Sequence, residues 1–488
     1  MSPSTLCNHW NYTFVWNDLH QTREQLRPKI FTYDRLADEC IERLNILSPP
    51  NTVPNAQNDA VDPKAPKRDM YTLLRDHASN DPKLGELWTQ VNTVPEWVDW
   101  QQIQRGQEVF FRYGLPILNA FQLISLPRGS ARVVETLTRT GGFSANVVRR
   151  RLLETLQYVL QVSQSLDAIK PGGAGHISSI RVRLLHASVR SRILSLAKEM
   201  PGYYDVGKYG IPINDLDCIA TINTFSSIVI WIGLPRQGIW LRKQEINDYL
   251  ALWRLVAFYM GTPDTPFASQ PTGRAMMESL TVSEFDPTDT SRVLARNIVL
   301  GLEKTAPTYA SKEFMEAMAR QLNGRQLSDR LNIPQTNVYY QALVYGYCFV
   351  VMGLAYVTRL FPRLDQTLIA FRRRKYYTVI TDREKGLGGE TLYEFKYVPF
   401  YTRTTTLGER RTSKSAPYGI ETVARLGLLA ALLTAVIVLS GGIYALRILP
   451  TTFLLGDLSF VGDIFTLIYL ALSVQFGHFS HVILLPCI

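Results

Sequence analysis

The 488-residue sequence predicts an all-α protein with a small late β-hairpin and a C-terminal transmembrane helix. Three observations lead there. Apolar residues recur at helical spacing from Met70 to about Pro362, strand-like alternation is scarce over that span, and Leu426–Leu446 carries no charge. Hydrophobic residues make up 46% of the chain and charged residues 19%, a balance that forms a core and argues against disorder.

Residues 1–68 read as an N-terminal extension and linker, because Pro49, Pro50, Pro54, Pro63 and Pro66 break up its second part. The helical domain, 69–362, shows helix patterns at 101–113, 117–126, 130–139, 145–166, 178–200, 215–233, 243–260 and 336–360. Within the last of these, Gln341–Val357 is apolar, but its tyrosines and polar flanks favour a buried helix. A basic segment, 363–425, follows. In it Tyr376–Thr381 and Thr391–Val398 flank Gly386-Leu-Gly-Gly389, the pattern of a hairpin.

Leu426–Leu446 is long enough, at 1.5 Å per residue, to cross the ~30 Å hydrocarbon core of a bilayer. Arg403, Arg410, Arg411, Lys414 and Arg425 precede it and only Arg447 follows closely, which places the large domain in the cytosol by the positive-inside rule. The apolar tail 447–488 contains Ile464–Phe476, a candidate second membrane segment.

The net charge of +10 is spread over Arg149–Arg151, Arg181–Arg192, Arg372–Lys375 and Arg410–Lys414 without basic–aromatic alternation. That argues against nucleic acid as a partner and suits anionic lipid or an anionic cofactor. Five scattered cysteines give neither a zinc site nor a disulfide framework, so a reducing compartment is expected. Asn11-Tyr12-Thr13 is a glycosylation triplet, but the N-terminus lacks the apolar run of a secretory signal. H-E-x-x-H, G-x-x-x-x-G-K-[ST], G-x-S-x-G and G-x-G-x-x-G are all absent. Gly172-Gly-Ala-Gly175 lacks the preceding strand of a dinucleotide site and reads as a loop.

Two constellations remain. His186 sits mid-helix on an apolar face with Val182, Val189 and Ile193, where burying an unpaired imidazole group costs about 1–3 kcal/mol. It is either a core histidine bonded to a backbone carbonyl or a metal ligand. The other histidines are His9, His20, His77, His176, His478 and His481, so a multi-histidine site would have to gather them from distant places, whereas a haem needs one. The second constellation is Arg151, Glu154, Thr155 and Tyr158, which share one helical face. An ion pair on a solvated surface accounts for them as well as catalysis does. Glu135 lies just upstream, between Arg132 and Arg139.

Trp97-Val-Asp-Trp100, Arg105-Gly-Gln-Glu-Val-Phe110, Arg151-Leu-Leu-Glu-Thr155 and Arg181-Val-Arg-Leu-Leu-His-Ala187, followed by Ile211-Pro-Ile-Asn214 and Tyr249-Leu-Ala-Leu-Trp-Arg254, resemble the rubber oxygenase (latex-clearing protein) superfamily. That superfamily includes the fungal ER-bound oxygenase of mycophenolic acid biosynthesis. The resemblance covers roughly residues 70–360 and implies a globin-like helical core around one b-type haem, with dioxygen as co-substrate. It implies His186 as the iron ligand and Glu135, Arg151, Glu154 and Thr155 around the distal face. Arg181, Arg183 and Arg190 would then serve the haem propionates. It further implies oxidative C=C cleavage of a lipophilic, isoprenoid substrate at the endoplasmic reticulum or another intracellular membrane. One residue departs from the pattern: Glu154 stands where R-x-x-K-T has lysine, and an ionised glutamate cannot donate a hydrogen bond. A haem-dependent hydroxylase or other tailoring enzyme of secondary metabolism, and a non-catalytic membrane-tethered haem-binding protein, are the alternatives.

Overall fold

The computed structural model describes residues 5–49, 68–124, 131–393, 405–409 and 419–448. The described chain enters through an antiparallel pair, β1 (Leu6–His9) and β2 (Tyr12–Val15), with Leu6 opposite Val15 and His9 opposite Tyr12. Trp10 and Asn11 turn it at φ 55° and 57°, the left-handed backbone that a two-residue hairpin turn requires. Strands this short leave too little alternation to stand out in the sequence.

After a short helical turn at residues 23–30, three longer helices follow: α1 (Arg35–Leu47), α2 (Met70–His77) and α3 (Pro82–Asn92). Each starts on an aspartate, since Asp34, Asp69 and Asp81 accept backbone N–H bonds from the first turn. Ala37, Ile41, Leu44, Leu74, Leu84 and Leu87 pack together with Ile180 and Leu184 of a later helix. The stretch ahead of the proline-rich segment is therefore part of the body.

The main core is built by α4 (Trp100–Arg112), α5 (Gly114–Ile124), α6 (Ala131–Thr140), α7 (Val148–Ser163), α8 (Ala174–Glu199), α9 (Asp215–Phe225), α10 (Lys243–Tyr259), α11 (Gln270–Ser283), α12 (Asp289–Leu302) and α13 (Lys312–Asn323). Through its middle runs α10, whose Tyr249, Leu252, Trp253, Val256 and Tyr259 are fully buried. Each such large side chain taken from water contributes about 1.5–3 kcal/mol. Phe225 stacks on Trp253 with ring centroids 5.0 Å apart. The helix expected over 215–233 breaks at Ser226 and resumes as a π-helical turn, Val229–Gly233.

Three long helices complete the described chain: α14 (Val338–Leu360), α15 (Pro362–Thr381) and α16 (Ile420–Ile448). The hairpin expected at Tyr376–Thr381 and Thr391–Val398 is corrected here. Residues 376–381 are the last turns of α15, while 391–393 are irregular and 394–398 lie outside the described residues. Helical spacing wins because Asp365, Ile369, Arg372 and Ile380 form one buried face that overrides the β-propensity of the Tyr-Tyr-Thr-Val run. The expected buried helix at Gln341–Val357 is α14, with Leu343, Val344, Tyr347, Cys348 and Val351 buried. Leu426–Leu446 lies within α16, and Ile464–Phe476 lies outside the described residues.

Candidate active site

Helices α7 and α8 run antiparallel and are tied together at one end. Ser178 Oγ donates to Gln161 Oε1 at 2.5 Å, and the Tyr158 and Ser179 hydroxyls meet at 3.2 Å. Gly175 makes this approach possible, because a Cβ there would lie 2.6 Å from the Gln161 carbonyl oxygen. Toward the other end the pair is more open: Thr155 is exposed, and Val182, Leu185 and His186 are only half-buried. Stepping along this register brings Arg151 opposite His186, and the Arg151 charge is felt by the imidazole.

His186 differs from the two other core histidines. His176 accepts the Gly172 N–H at Nδ1 (3.1 Å), and its Nε2 lies 2.9 Å from the Val91 carbonyl. His20 lies 2.9 Å from Glu278 and accepts the Asn17 N–H. Among the described residues His186 has no hydrogen-bond partner, so the backbone-bonded core histidine is realised at His176 and not at His186. The ring borders a cavity of ≈ 10 Å³ shared with Arg183, Arg190, Ile213, Cys218 and Met260.

Burial, then the Arg190 and Arg151 charges, draw the His186 pKa down to about 4. The ring is therefore neutral near pH 7, the form whose nitrogen can ligate a metal. Burial pushes the neighbouring Cys218 thiol up to about 12, so it stays protonated and offers no thiolate. A pH dependence follows. An unfolded chain protonates His186 near its ordinary 6.5, before the folded chain does, so this residue removes stability as pH falls from 6.5 toward about 4. His186→Gln is expected to flatten that part of the melting-temperature profile; an identical slope in both proteins would refute it.

The arginines around His186 are paired with carboxylates. Arg181 holds Asp69 at 2.6 and 2.8 Å. Arg183 holds Asp34 at 2.5 and 2.9 Å and also Gln90. Arg190 is bidentate on Asp38, bonds the Ile213 carbonyl, and lies 4.9 Å from the Tyr33 ring centroid. Their guanidinium groups are thus largely engaged by carboxylates that begin α1 and α2. Of the three, Arg183 alone keeps a buried nitrogen, Nη1, without a partner among the described residues. Gly261, at φ +66°, passes beside the Asp34–Arg183 pair, where a Cβ would sit 2.4 Å from Asp34 Oδ2.

On α7, Glu154 accepts from Arg150 Nε at 3.2 Å and Arg151 Nη1 at 2.7 Å. The expected intrahelical pair forms, yet Glu154 is 5% exposed and not on a solvated face. Thr155 Oγ1 donates to the Arg151 carbonyl. Glu135 is engaged elsewhere, by Arg139, whose other donors reach the Tyr203 carbonyl. Of the α7 residues, Arg151 is the one whose charge reaches His186; Glu154 is held by Arg150 and Arg151, and Glu135 answers to Arg139. Sequence reasoning missed Asp34, Asp38 and Asp69, and also Gln157 and Gln161, which bond Thr391 and Tyr393. Aspartates ahead of helices signal caps, but nothing in their spacing names the arginine each will meet.

Residues 116–352 match the family described as ER-bound oxygenase mpaB/B'/Rubber oxygenase, catalytic domain. Residues 116–352 belong to the mpaB/rubber oxygenase family. This mpaB/rubber oxygenase segment contains Glu135, Arg151, Glu154, Thr155 and His186. The chain is 23% identical over 210 residues to a rubber oxygenase of Streptomyces sp. (strain K30), covering 40% of this chain and 49% of that one. It is 54% identical over 50 residues to aurantioclavine synthase of Penicillium expansum, 10% of each chain. It therefore spans about half the length of the first relative and a tenth of the second. A latex clearing protein in the closed state superposes with a TM-score of 0.52 at 16% identity, over 72% of this chain and 91% of that one. The all-α fold of the mpaB/rubber oxygenase segment is thereby shared.

Proposed function

We propose that this chain is a haem-dependent oxygenase that cleaves a C=C bond in a lipophilic, isoprenoid substrate. In this reading b-type haem is the cofactor, dioxygen the co-substrate, and α16 the anchor in the endoplasmic reticulum or another intracellular membrane, with the body on the cytosolic side. The observation that carries it is His186: a neutral, unpartnered imidazole inside the family segment.

The donor set fits the cofactor. His186 would offer one nitrogen to the iron, and the spare Arg183 Nη1–H would suit a propionate. The cavity beside them has room for about one water, so a macrocycle would require the α7–α8 pair to part at its open end. When bound, haem supplies the oxygen chemistry, and the protein sets its ligation, polarity and access. On α7, Arg151 and Thr155 would offer donors to a reacting group only by exchanging the bonds they now make to Glu154 and to the Arg151 carbonyl. Glu154, held by Arg150 and Arg151, is the acceptor that can take a proton.

Anchoring is supported by α16, whose residues 432–441 are exposed on all sides and apolar almost throughout. A helix hydrophobic all round belongs in a core or a bilayer. An isoprenoid partitions into the same bilayer, which puts enzyme and substrate in one phase.

Oxygen uptake by the haem-loaded full chain, supplied with a farnesylated aromatic or a polyisoprene, is expected to match the aldehyde or ketone formed. Uptake without carbonyl product would favour a hydroxylase; absence of uptake across such substrates would contradict the proposal. Glu154→Gln is expected to lower turnover about 100-fold with the melting temperature little changed, the range of a lost general base. Unchanged turnover would remove Glu154 from proton transfer.

A further inference from the structure

Where α16 leaves the body, the surface beside it has an unusual composition. Helices α14 and α16 start at one corner, where Ser311 N–H donates to Glu421 Oε1 and Arg425 Nε to the Tyr339 hydroxyl. They then cross with Gly346 against Ala424 and Gly427 against Gly346, small residues that let the backbones touch. The two run in the same direction, so the C-terminal end of α14 lies toward the side to which α16 projects.

That end is capped by exposed apolar side chains. Leu360 is 74% and Phe361 57% exposed, and Trp240 is exposed beside them, its carbonyl held by Arg359 Nη2 at 2.7 Å. The face continues along α15. Asp365 and Arg372 bind α15 to α4, with Arg112 Nη2 on Asp365 at 2.7 Å and Arg372 Nη1 on the Phe111 carbonyl at 3.0 Å. On the opposite side, seven residues apart and so two turns along one face, Leu364 and Phe371 are exposed, flanked by Arg363, Arg374 and Lys375. Apolar anchors with a basic border are the composition of a helix lying in a membrane interface.

We propose that the α14–α15 corner and the outward face of α15 rest in the bilayer surface that α16 enters, a second, interfacial contact that fixes the orientation of the body. The occupant is a lipid bilayer with anionic headgroups: the apolar side chains reach the acyl region, and Arg363, Arg374 and Lys375 meet phosphates. This rests on the reading of α16 as a membrane anchor.

The test uses the full chain reconstituted in vesicles of phosphatidylcholine and phosphatidylserine, with bimane attached at Leu364→Cys, at Phe371→Cys, or at Glu86→Cys on the exposed side of α3. The unsubstituted chain gives the background. Replacing the phosphatidylcholine by its acyl-brominated form is expected to quench bimane at 364 and 371 at least about twofold more than at 86, as burial in the acyl boundary requires. Equal quenching at all three positions, in chain that resists extraction by alkaline carbonate, would overturn the interfacial contact and leave the anchor standing. Release by carbonate would overturn both.

Discussion

Asp34→Ala is expected to cost the body about 3–5 kcal/mol, the range for breaking a buried ion pair from one side. Asp34 does two jobs: its Oδ1 accepts the Ala37 N–H at the start of α1, and both carboxylate oxygens hold Arg183. The Arg183 side chain is only 2% exposed and already carries an unpartnered Nη1. Without Asp34 it becomes a buried cation whose remaining polar contact among the described residues is Gln90. The lost cap adds about 1 kcal/mol. Asp34→Asn separates the two effects, because asparagine caps as well as aspartate but brings no charge. Urea unfolding of the three proteins should rank them wild type, Asn, Ala, with most of the loss present in the Asn variant. A loss below about 1 kcal/mol for Ala would mean that the pair is solvated and the α1–α8 junction is not built on it.

The second large effect is on turnover. His186→Gly is expected to reduce it at least about 100-fold, equivalent to about 2.7 kcal/mol, and added imidazole is expected to restore part of it. Glycine in a helix interior costs about 1 kcal/mol by itself, so imidazole rescue separates lost ligation from lost structure. Cys218 beside it stays a thiol, and among the described residues no three His, Cys, Asp or Glu gather into a metal cage. Turnover within about threefold of wild type would exclude His186 as the iron ligand.

Helices such as α7, α8 and α10 were legible because their apolar residues repeat at 3.6-residue spacing over many turns. The end of α15 was not, since Tyr376, Tyr377, Thr378, Val379 and Ile380 have strand propensity and only the packing of Asp365, Ile369, Arg372 and Ile380 keeps them helical. At the site, the helix face carrying Arg151, Glu154 and Thr155 could be read from spacing, but the burial of Glu154 could not, because burial depends on what covers α7. The arginines of α8 illustrate the same limit. Their charge suggested an anionic cofactor, yet Asp34, Asp38 and Asp69, distant in sequence, reach them first. His186 stands out only when the partners of His20 and His176 are known, which needs the fold.

The visible absorption spectrum of the full-length chain, produced with ample haem, tests the role of His186 most directly. A Soret band is expected in the wild type and in Arg181→Ala, whose guanidinium is committed to Asp69, and it is expected to be lost in His186→Ala. A wild-type chain without the band, or a His186→Ala chain that keeps it undiminished, would contradict haem ligation by His186.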